Sequence, residues 1–216
     1  MKLVVFGATG RTGRHVVETA LENGHDVTAF VRDPAKLDLD HENLRVVVGD
    51  AYTGEGVAEA IEGGPADDKP ADAVISVLGQ SKSTPDDLLT VAGRHILDAM
   101  EAGGVDRFVT LVGAGVRTED ESVSLGGKVM GGLLKLVSRA VLTDAEAHVA
   151  DVRSRDIRWT VVRVPRLGDG DPPGEYQSGE DLKLGFEAVE RADVASFMLD
   201  VVEADRYVGD LPKVGY

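Results

Sequence analysis

Leu3–Phe6 is a short, β-branched apolar run that stops at Gly7 and leads into Gly7-Ala8-Thr9-Gly10-Arg11-Thr12-Gly13. Beyond it, apolar residues recur at helical spacing: Val16, Val17, Ala20 and Leu21. A strand that passes through glycines spaced GxxGxxG into a helix leaves few folds open. Small residues let the turn be tight and let another group approach the backbone closely, and the third glycine lets the helix sit against the strand. The helix N-terminus then presents unpaired N–H groups and a partial positive charge, which suits an anion. In this strand-to-helix context the spacing marks a βα unit that holds a dinucleotide pyrophosphate, with Arg11 and Thr12 placed to reach phosphate oxygens.

The rest of the chain repeats the alternation. Strands are expected at Val27–Val31, Leu44–Val48, Ala73–Leu78, Arg107–Val112 and Trp159–Val164. Helices are expected at Arg14–Leu21, Gly56–Ile61, Asp87–Ala102, within Leu133–Arg155, and at Asp193–Val202 with Asp193 as its N-cap. Gly63–Lys69 reads as a solvated loop, and Asp169–Asp181, rich in Gly, Pro and acid, as a loop that could cover a site. Strands separated by helices imply right-handed βαβ units and a parallel sheet covered on both faces. The expected fold is α/β, a single doubly wound Rossmann domain spanning residues 1–216, with strand order 3-2-1-4-5-6 and a short seventh strand. A chain of 216 residues suffices for one such domain.

Charge narrows the partners. Lys and Arg total 23, of which Lys is only 8, against 38 Asp and Glu, for a net charge of −15. A Lys-poor acidic surface is typical of halophilic proteins, which stay solvated in brine, and its field repels nucleic acid at moderate salt. With no cysteine, disulfides, thiolate metal sites and a Cys nucleophile are excluded. The histidines His15, His25, His41, His95 and His148 lack ligand-like spacing with a carboxylate, so no metal is expected. No apolar stretch approaches a membrane span, and Met1–Phe6 is too short for a signal peptide. The expectation is a cytoplasmic protein, monomer or homodimer, that engages neither membrane nor nucleic acid.

The end of the second strand bears on which dinucleotide is bound. A strict NAD site places an acidic residue there to hold both ribose hydroxyls. Here the strand ends Phe30-Val31-Arg32-Asp33, and Lys36 follows. Arg32 can fork onto a 2′-phosphate and stack on adenine, and Lys36 adds a second positive charge. NADP is expected over NAD. Asp50, after the third strand, could accept from the adenine amine or cap its own turn.

The segments GATGRTG, VRDPAKL, VVVGD, SVLGQ, AGRHILDAM and VDRFVTLVGAG, in this order, resemble the NAD(P)H-binding atypical short-chain dehydrogenases. Within them, the Arg32–Lys36 pair and the Leu78-Gly79 turn are most similar to the flavin reductase and biliverdin reductase B group and its NmrA-like relatives. The resemblance runs on through VVRVPRLGDG and DVASFML. It implies that Gly7, Thr9, Gly10, Arg11, Thr12 and Gly13 form the phosphate loop and that Arg32 and Lys36 bind the 2′-phosphate. Asp50 and Ala51 would contact adenine, and Leu78 and Gly79 would lie beside the ribose. Leu111, Val112 and Gly113 would lie beside the nicotinamide, with Val164, Pro165 and Leu167 flanking its amide.

The ordinary catalytic set of short-chain dehydrogenases, a Tyr with a Lys four residues later and a Ser, is missing. None of Tyr52, Tyr176, Tyr207 and Tyr216 has Lys at that offset. Gly131 stands where a Tyr would pair with Lys135, and Gly113 where that Ser often ends the fifth strand. The flavin reductase group does not need the triad, because hydride passes directly to a stacked, electron-poor ring and the protein supplies orientation. The expected function is an NADPH-dependent oxidoreductase acting on a flavin, quinone or similar planar conjugated acceptor. The alternative is a non-catalytic NmrA-like NAD(P)-binding redox sensor, and a third reading is a short-chain reductase, isomerase or epimerase with another proton donor. No catalytic residue is assigned. His148 could donate a proton or simply pack, and Ser81 and Ser83 could bond substrate or shape a loop. Gly126–Leu136 could line a cleft, form a subunit contact or open a helix, while Asp86-Asp87 is expected to cap the third helix.

Overall fold

The computed structural model describes residues 1–63, 69–81, 83–116, 139–185 and 187–216. Gly126–Leu136, with Gly131 and Lys135, lies outside the described residues, as does most of the Gly63–Lys69 loop. Five helices are described: α1 (Arg11–Glu22), α2 (Val57–Glu62), α3 (Leu88–Gly103), α4 (Arg139–Ser154) and α5 (Arg191–Glu203). A 3-10 turn covers Pro34–Lys36. The strands through the middle of the chain are β1 (Lys2–Phe6), β2 (Asp26–Val31), β3 (Leu44–Val48), β4 (Ala73–Ser76), β5 (Arg107–Gly113) and β6 (Arg158–Val164). Four short strands follow: β7 (Arg166–Gly168), β8 (Gln177–Gly179), β9 (Ala188–Glu190) and β10 (Lys213–Gly215).

The main sheet runs β3-β2-β1-β4-β5-β6-β10-β8. Its first six strands are parallel in the expected order, and β10 continues parallel to β6 through Lys213 and Arg163. Strand β8 closes the edge antiparallel to β10, inside the Asp169–Asp181 segment that local composition marks as loop throughout. Three-residue strands carry no readable period, so their pairing is set by neighbours distant in sequence. Strands β7 and β9 form a separate two-stranded parallel sheet.

Alternation along β1 shows why the sheet is buried. Leu3 and Val5 join the core on the α1 and α5 face, while Val4 and Phe6 join the core beneath α2, α3 and α4. Both faces need apolar residues, hence the nearly continuous apolar run. Helix α1 buries Val16, Val17, Ala20 and Leu21 as a single stripe and stops at Asn23-Gly24, where Gly24 takes φ +78° and His25 N–H returns to the Ala20 carbonyl. Helix α3 buries Leu89, Ala92, Ile96, Leu97 and Met100 and ends at Gly104, φ +67°. Among the described residues no helix is long and apolar enough to cross a membrane.

Three capping and boundary expectations are corrected. Helix α1 begins at Arg11, directly after Gly10, so Arg11–Gly13, expected in the phosphate loop, are its first turn. Helix α5 begins at Arg191, which puts Asp193 inside the first turn, where its carboxylate accepts from the Tyr216 hydroxyl at 2.7 Å. Asp87 does precede α3, but its side chain makes no cap bond and instead accepts from the Tyr52 hydroxyl at 3.0 Å.

Candidate functional site

Successive strands are added to one side of β1 and then, from β4, to the other, and ligands of open α/β sheets sit outside the carboxyl ends of the strands at such a point. The register aligns those ends: Phe6 pairs with Phe30 and Ser76, Val31 with Val48, Ser76 with Thr110, and Gly113 with Val164. Every residue expected at the site follows one of these ends. Gly7–Gly13 leaves β1, Arg32 and Lys36 leave β2, and Asp50 and Ala51 leave β3. Leu78 and Gly79 follow β4, Leu111–Gly113 end β5, and Val164, Pro165 and Leu167 end β6 or follow it. The sheet therefore brings segments 160 residues apart along one edge.

The glycine turn is tight for a reason visible in its contacts. Gly7 takes φ +85°, and a Cβ there would meet the Val77 carbonyl oxygen at 2.9 Å. Gly10 N–H bonds the Gly7 carbonyl at 2.9 Å. A Cβ on Gly13 would press into the backbone of Gly7 and Ala8. No side chain caps the N-terminus of α1, and its first turn holds no acidic residue. That combination leaves backbone N–H groups and the positive end of the helix dipole facing the strand ends, a fit for a pyrophosphate.

Individual roles differ from the sequence expectation. Thr12 is buried on the inner side of α1. Arg11 is 71% exposed and pairs at 2.8 Å with Asp169, whose other oxygen lies 2.6 Å from Arg191. Glu190 accepts the Gly170 N–H, and Arg191 donates to the Gly168 carbonyl at 2.9 Å, so these two residues shape the turn that presents Asp169. Arg32 is exposed and makes no hydrogen bond or ion pair among the described residues. The Asp33 carboxylate caps Ala35 N–H at 3.1 Å and lies 3.8 Å from Lys36. Arg14, which sequence reasoning missed, reaches across from α1 to donate to the Lys36 carbonyl. An arginine inside a helix's first turn, against the dipole, was the signal that could have found it. One Asp50 oxygen accepts Tyr52 N–H at 2.9 Å, which is the turn-capping alternative, while its position beside the strand end stays compatible with adenine.

On the far side of the site, Gln80 donates to Asp144 at 2.7 Å and to the Asp86 carbonyl at 2.6 Å, fixing the loop after Gly79. Ser81 and Ser83 hydrogen-bond each other at 3.0 Å. Among the described residues nothing lies within 4 Å of a Cβ placed on Gly79 or Gly113, so within these the end of β5 leaves room where a serine side chain would project. The four tyrosines are engaged elsewhere. Tyr52 meets Asp87, Tyr176 meets Asp200, Tyr207 meets Ser178 and Tyr216 meets Asp193. The Asp87 hydrogen bond pushes the Tyr52 phenol up, and burial, aided by the carboxylates beside them, raises Tyr176 and takes Tyr216 to about 12. A catalytic phenol needs a cation that lowers its pKa; Tyr52, Tyr176 and Tyr216 have anions that raise it.

His148 is not at the site mouth. It is 2% exposed beneath α3, its Nε2 3.2 Å from Thr110 Oγ1, and burial lowers its pKa to about 4 against the weaker pull of Asp144 and Asp151. It stays neutral at pH 7. Because the folded value lies below the unfolded 6.5, this neutral histidine stabilises the fold above pH 6.5 and that stability drains away as pH falls toward 4, by up to about 3 kcal/mol. The stability gap between wild type and His148→Gln, from urea midpoints, is expected to narrow by at least about 1 kcal/mol between pH 7 and pH 4.5. A gap that stays constant overturns this account.

Six parallel strands, with a glycine turn feeding an uncapped helix at the switch point, define a Rossmann dinucleotide-binding protein. The chain belongs to the NAD(P)H-binding family, whose model matches residues 7–205. It is 27% identical over 210 residues to the uncharacterized protein YwnB of Bacillus subtilis, covering 94% of this chain and 92% of that one. Its fold matches a putative epimerase from Bacteroides thetaiotaomicron with TM-score 0.80 and 26% identity, over 100% of this chain and 96% of the other. It also matches the anaerobillin reductase ChuY of Escherichia coli O157:H7, TM-score 0.76 and 21% identity, over 99% and 96% of the two chains. A 3-beta-hydroxysteroid dehydrogenase of Mycolicibacterium neoaurum, 34% identical over 133 residues, and an isoflavone reductase homolog of Zea mays, 35% identical over 117 residues, are longer, and the match spans about a third of each.

Proposed function

We propose that this protein is an NADPH-dependent reductase that passes hydride directly to a flavin, quinone or similar planar conjugated acceptor. The reading takes the chain as one dinucleotide-binding domain. The observation that carries it is the strand-end edge itself: an anion cradle at α1, cations at the end of β2, an open Gly113 at β5, and no tyrosine–lysine pair in the sequence. Reductases are also represented among the structural neighbours.

Backbone N–H groups of Arg11–Gly13 would hold the pyrophosphate, and Arg32 with Lys36 would hold a 2′-phosphate. Leu111, Val112 and Gly113 on one side, and Val164, Pro165 and Leu167 on the other, would seat the nicotinamide ring and exclude water from it. The bound cofactor supplies two electrons as hydride. The acceptor's proton comes from solvent, since a ring that delocalises the incoming charge needs no positioned acid.

The test is oxidation of NADPH and NADH at 340 nm in high KCl against flavins and quinones. Turnover with NADPH is expected. Arg32→Ala is expected to raise KM for NADPH by about tenfold to a hundredfold and to affect NADH far less, because the charge-assisted fork is lost only where the phosphate exists while the adenine stack is common to both. Dinucleotide binding without turnover on any acceptor would sink the reductase reading in favour of a sensor.

A further inference from the structure

We propose that Arg14 is a specificity-determining residue of this site, reading the phosphate that separates NADP from NAD. The proposal rests on the reading above that the β2 end receives a 2′-phosphate.

Arg14 sits in α1 one turn beyond Gly10, and its N–H bonds the Gly10 carbonyl at 3.0 Å. Helix dipoles disfavour cations at this end, yet α1 opens with Arg11 and Arg14 and no acid in its first turn. Arg11 is occupied by Asp169. Arg14 instead turns toward the β2 side and donates one nitrogen to the Lys36 carbonyl. Its remaining donors make no other bond among the described residues, and the side chain is exposed. The bond does two things at once: it ties the Pro34–Lys36 turn to α1, and it holds a guanidinium beside the segment that carries Arg32 and Lys36. The nearby Asp33 carboxylate is spent on Ala35 N–H and on Lys36. In a chain with 38 acidic residues against 23 basic ones, the segment leaving β2 carries Arg32 and Lys36, and Arg14 is tied to the end of that segment. A phosphate monoester, carrying close to two negative charges and three acceptor oxygens, is the ligand chemistry that uses all three. A ribose hydroxyl uses none of them strongly.

Adenosine 2′,5′-bisphosphate and 5′-AMP are suitable probes, measured by calorimetry with wild type, Arg14→Ala, Arg14→Gln and Arg32→Ala, alongside NADP and NAD. Wild type is expected to prefer the 2′-phosphorylated ligand of each pair. Arg14→Ala is expected to bind NADP and the bisphosphate about tenfold more weakly and to leave NAD and 5′-AMP unchanged. Arg14→Gln retains a donor for the Lys36 carbonyl without the charge, so it is expected to lose the same preference. Full NADP affinity in the Gln variant, or equal losses for NADP and NAD in the Ala variant, would reduce Arg14 to a tether and overturn the proposal. A preference that survives in Arg14→Ala but is lost in Arg32→Ala would also overturn it while the 2′-phosphate reading stands. No preference in wild type would remove that reading, and the proposal with it.

Discussion

Gly13→Ala is expected to abolish dinucleotide binding and to lower the melting temperature by several degrees. In an ordinary exposed helix the same change would stabilise, since alanine is favoured over glycine by about 1 kcal/mol. Gly13 is buried where α1 crosses the end of β1, and an added Cβ would lie 2.8 Å from the Gly7 carbonyl carbon and 3.0 Å from Ala8 Cα, closer still to the Gly7 oxygen. All three atoms belong to backbone, so no side chain can rotate away. Either α1 lifts from β1 or the Gly7 turn opens, and overpacking of this kind costs about 1–3 kcal/mol or more, which outweighs the propensity gain. For a chain of this size that corresponds to roughly 2–4 °C per kcal/mol. The free N–H groups of the first turn, proposed to hold the pyrophosphate, move with the helix, and a displacement of about 1 Å costs on the order of a hundredfold where geometry is demanding. Gly113→Ala is the control, because its Cβ meets nothing within 4 Å among the described residues. It should melt within about 1–2 °C of wild type. Calorimetric titration with NADPH and thermal melts of both variants decide the matter. A Gly13→Ala protein that binds and melts like wild type would show that the close approach is not needed.

The parts of this molecule that sequence made legible are those encoded locally. The β1–glycine–α1 unit announces itself because strand, turn and helix signals lie within twenty residues. Inner strands such as β1 and β4 announce themselves because burial on both faces demands unbroken apolar runs, as in Ala73–Ser76. From these the strand order, and hence the line of residues along the strand ends, followed by topology. What escaped was set by partners far away. Strand β8 exists because Val214 and its neighbours lie beside it. Asp169 finds Arg11, 158 positions earlier, and no spacing rule connects them. His148 lies in the right stretch for a proton donor, but which way it faces depends on the packing of α3 against α4; Gly93 leaves the space into which its ring fits. The buried arginines obey the same logic. Arg107 is 2% exposed at the start of β5 and survives there by donating to the carbonyls of Arg158, Val201 and Arg206, and burial still lowers its pKa to about 10.

The largest stability effect is expected at Asp144, and it turns on the same separation between local signal and distant partner. Helix α3 begins after Asp86-Asp87, a pair that reads as an N-cap, yet its first N–H groups are satisfied from α4. The Asp144 carboxylate, 5% exposed, accepts Leu89 N–H at 2.8 Å and Thr90 N–H at 2.9 Å, and also the Gln80 amide at 2.7 Å. Its own carbonyl accepts the Thr90 hydroxyl at 3.1 Å. The negative charge faces the positive end of α3, where the dipole favours it. Asp144→Ala strands two backbone donors, at about 1–3 kcal/mol for each unsatisfied group, and takes one of two acceptors from the half-buried Gln80 amide, so a total loss of about 3–5 kcal/mol is expected from urea unfolding. Asp144→Asn keeps one acceptor but turns an NH2 toward donors, and about half of that loss is expected. The effect also reaches the site, since Gln80 anchors the loop after Gly79: it loses its Asp144 acceptor in Asp144→Ala, competes with the α3 N–H groups for the one remaining oxygen in Asp144→Asn, and otherwise keeps only the Asp86 carbonyl. Dinucleotide affinity measured well below the unfolding transition should therefore fall a few-fold in Asp144→Asn, with Gln80→Ala reproducing the affinity change at a smaller cost in stability. Asp144→Ala at near wild-type stability would mean that the N-terminus of α3 is satisfied by other acceptors, and the coupling between α4 and the site would fall with it.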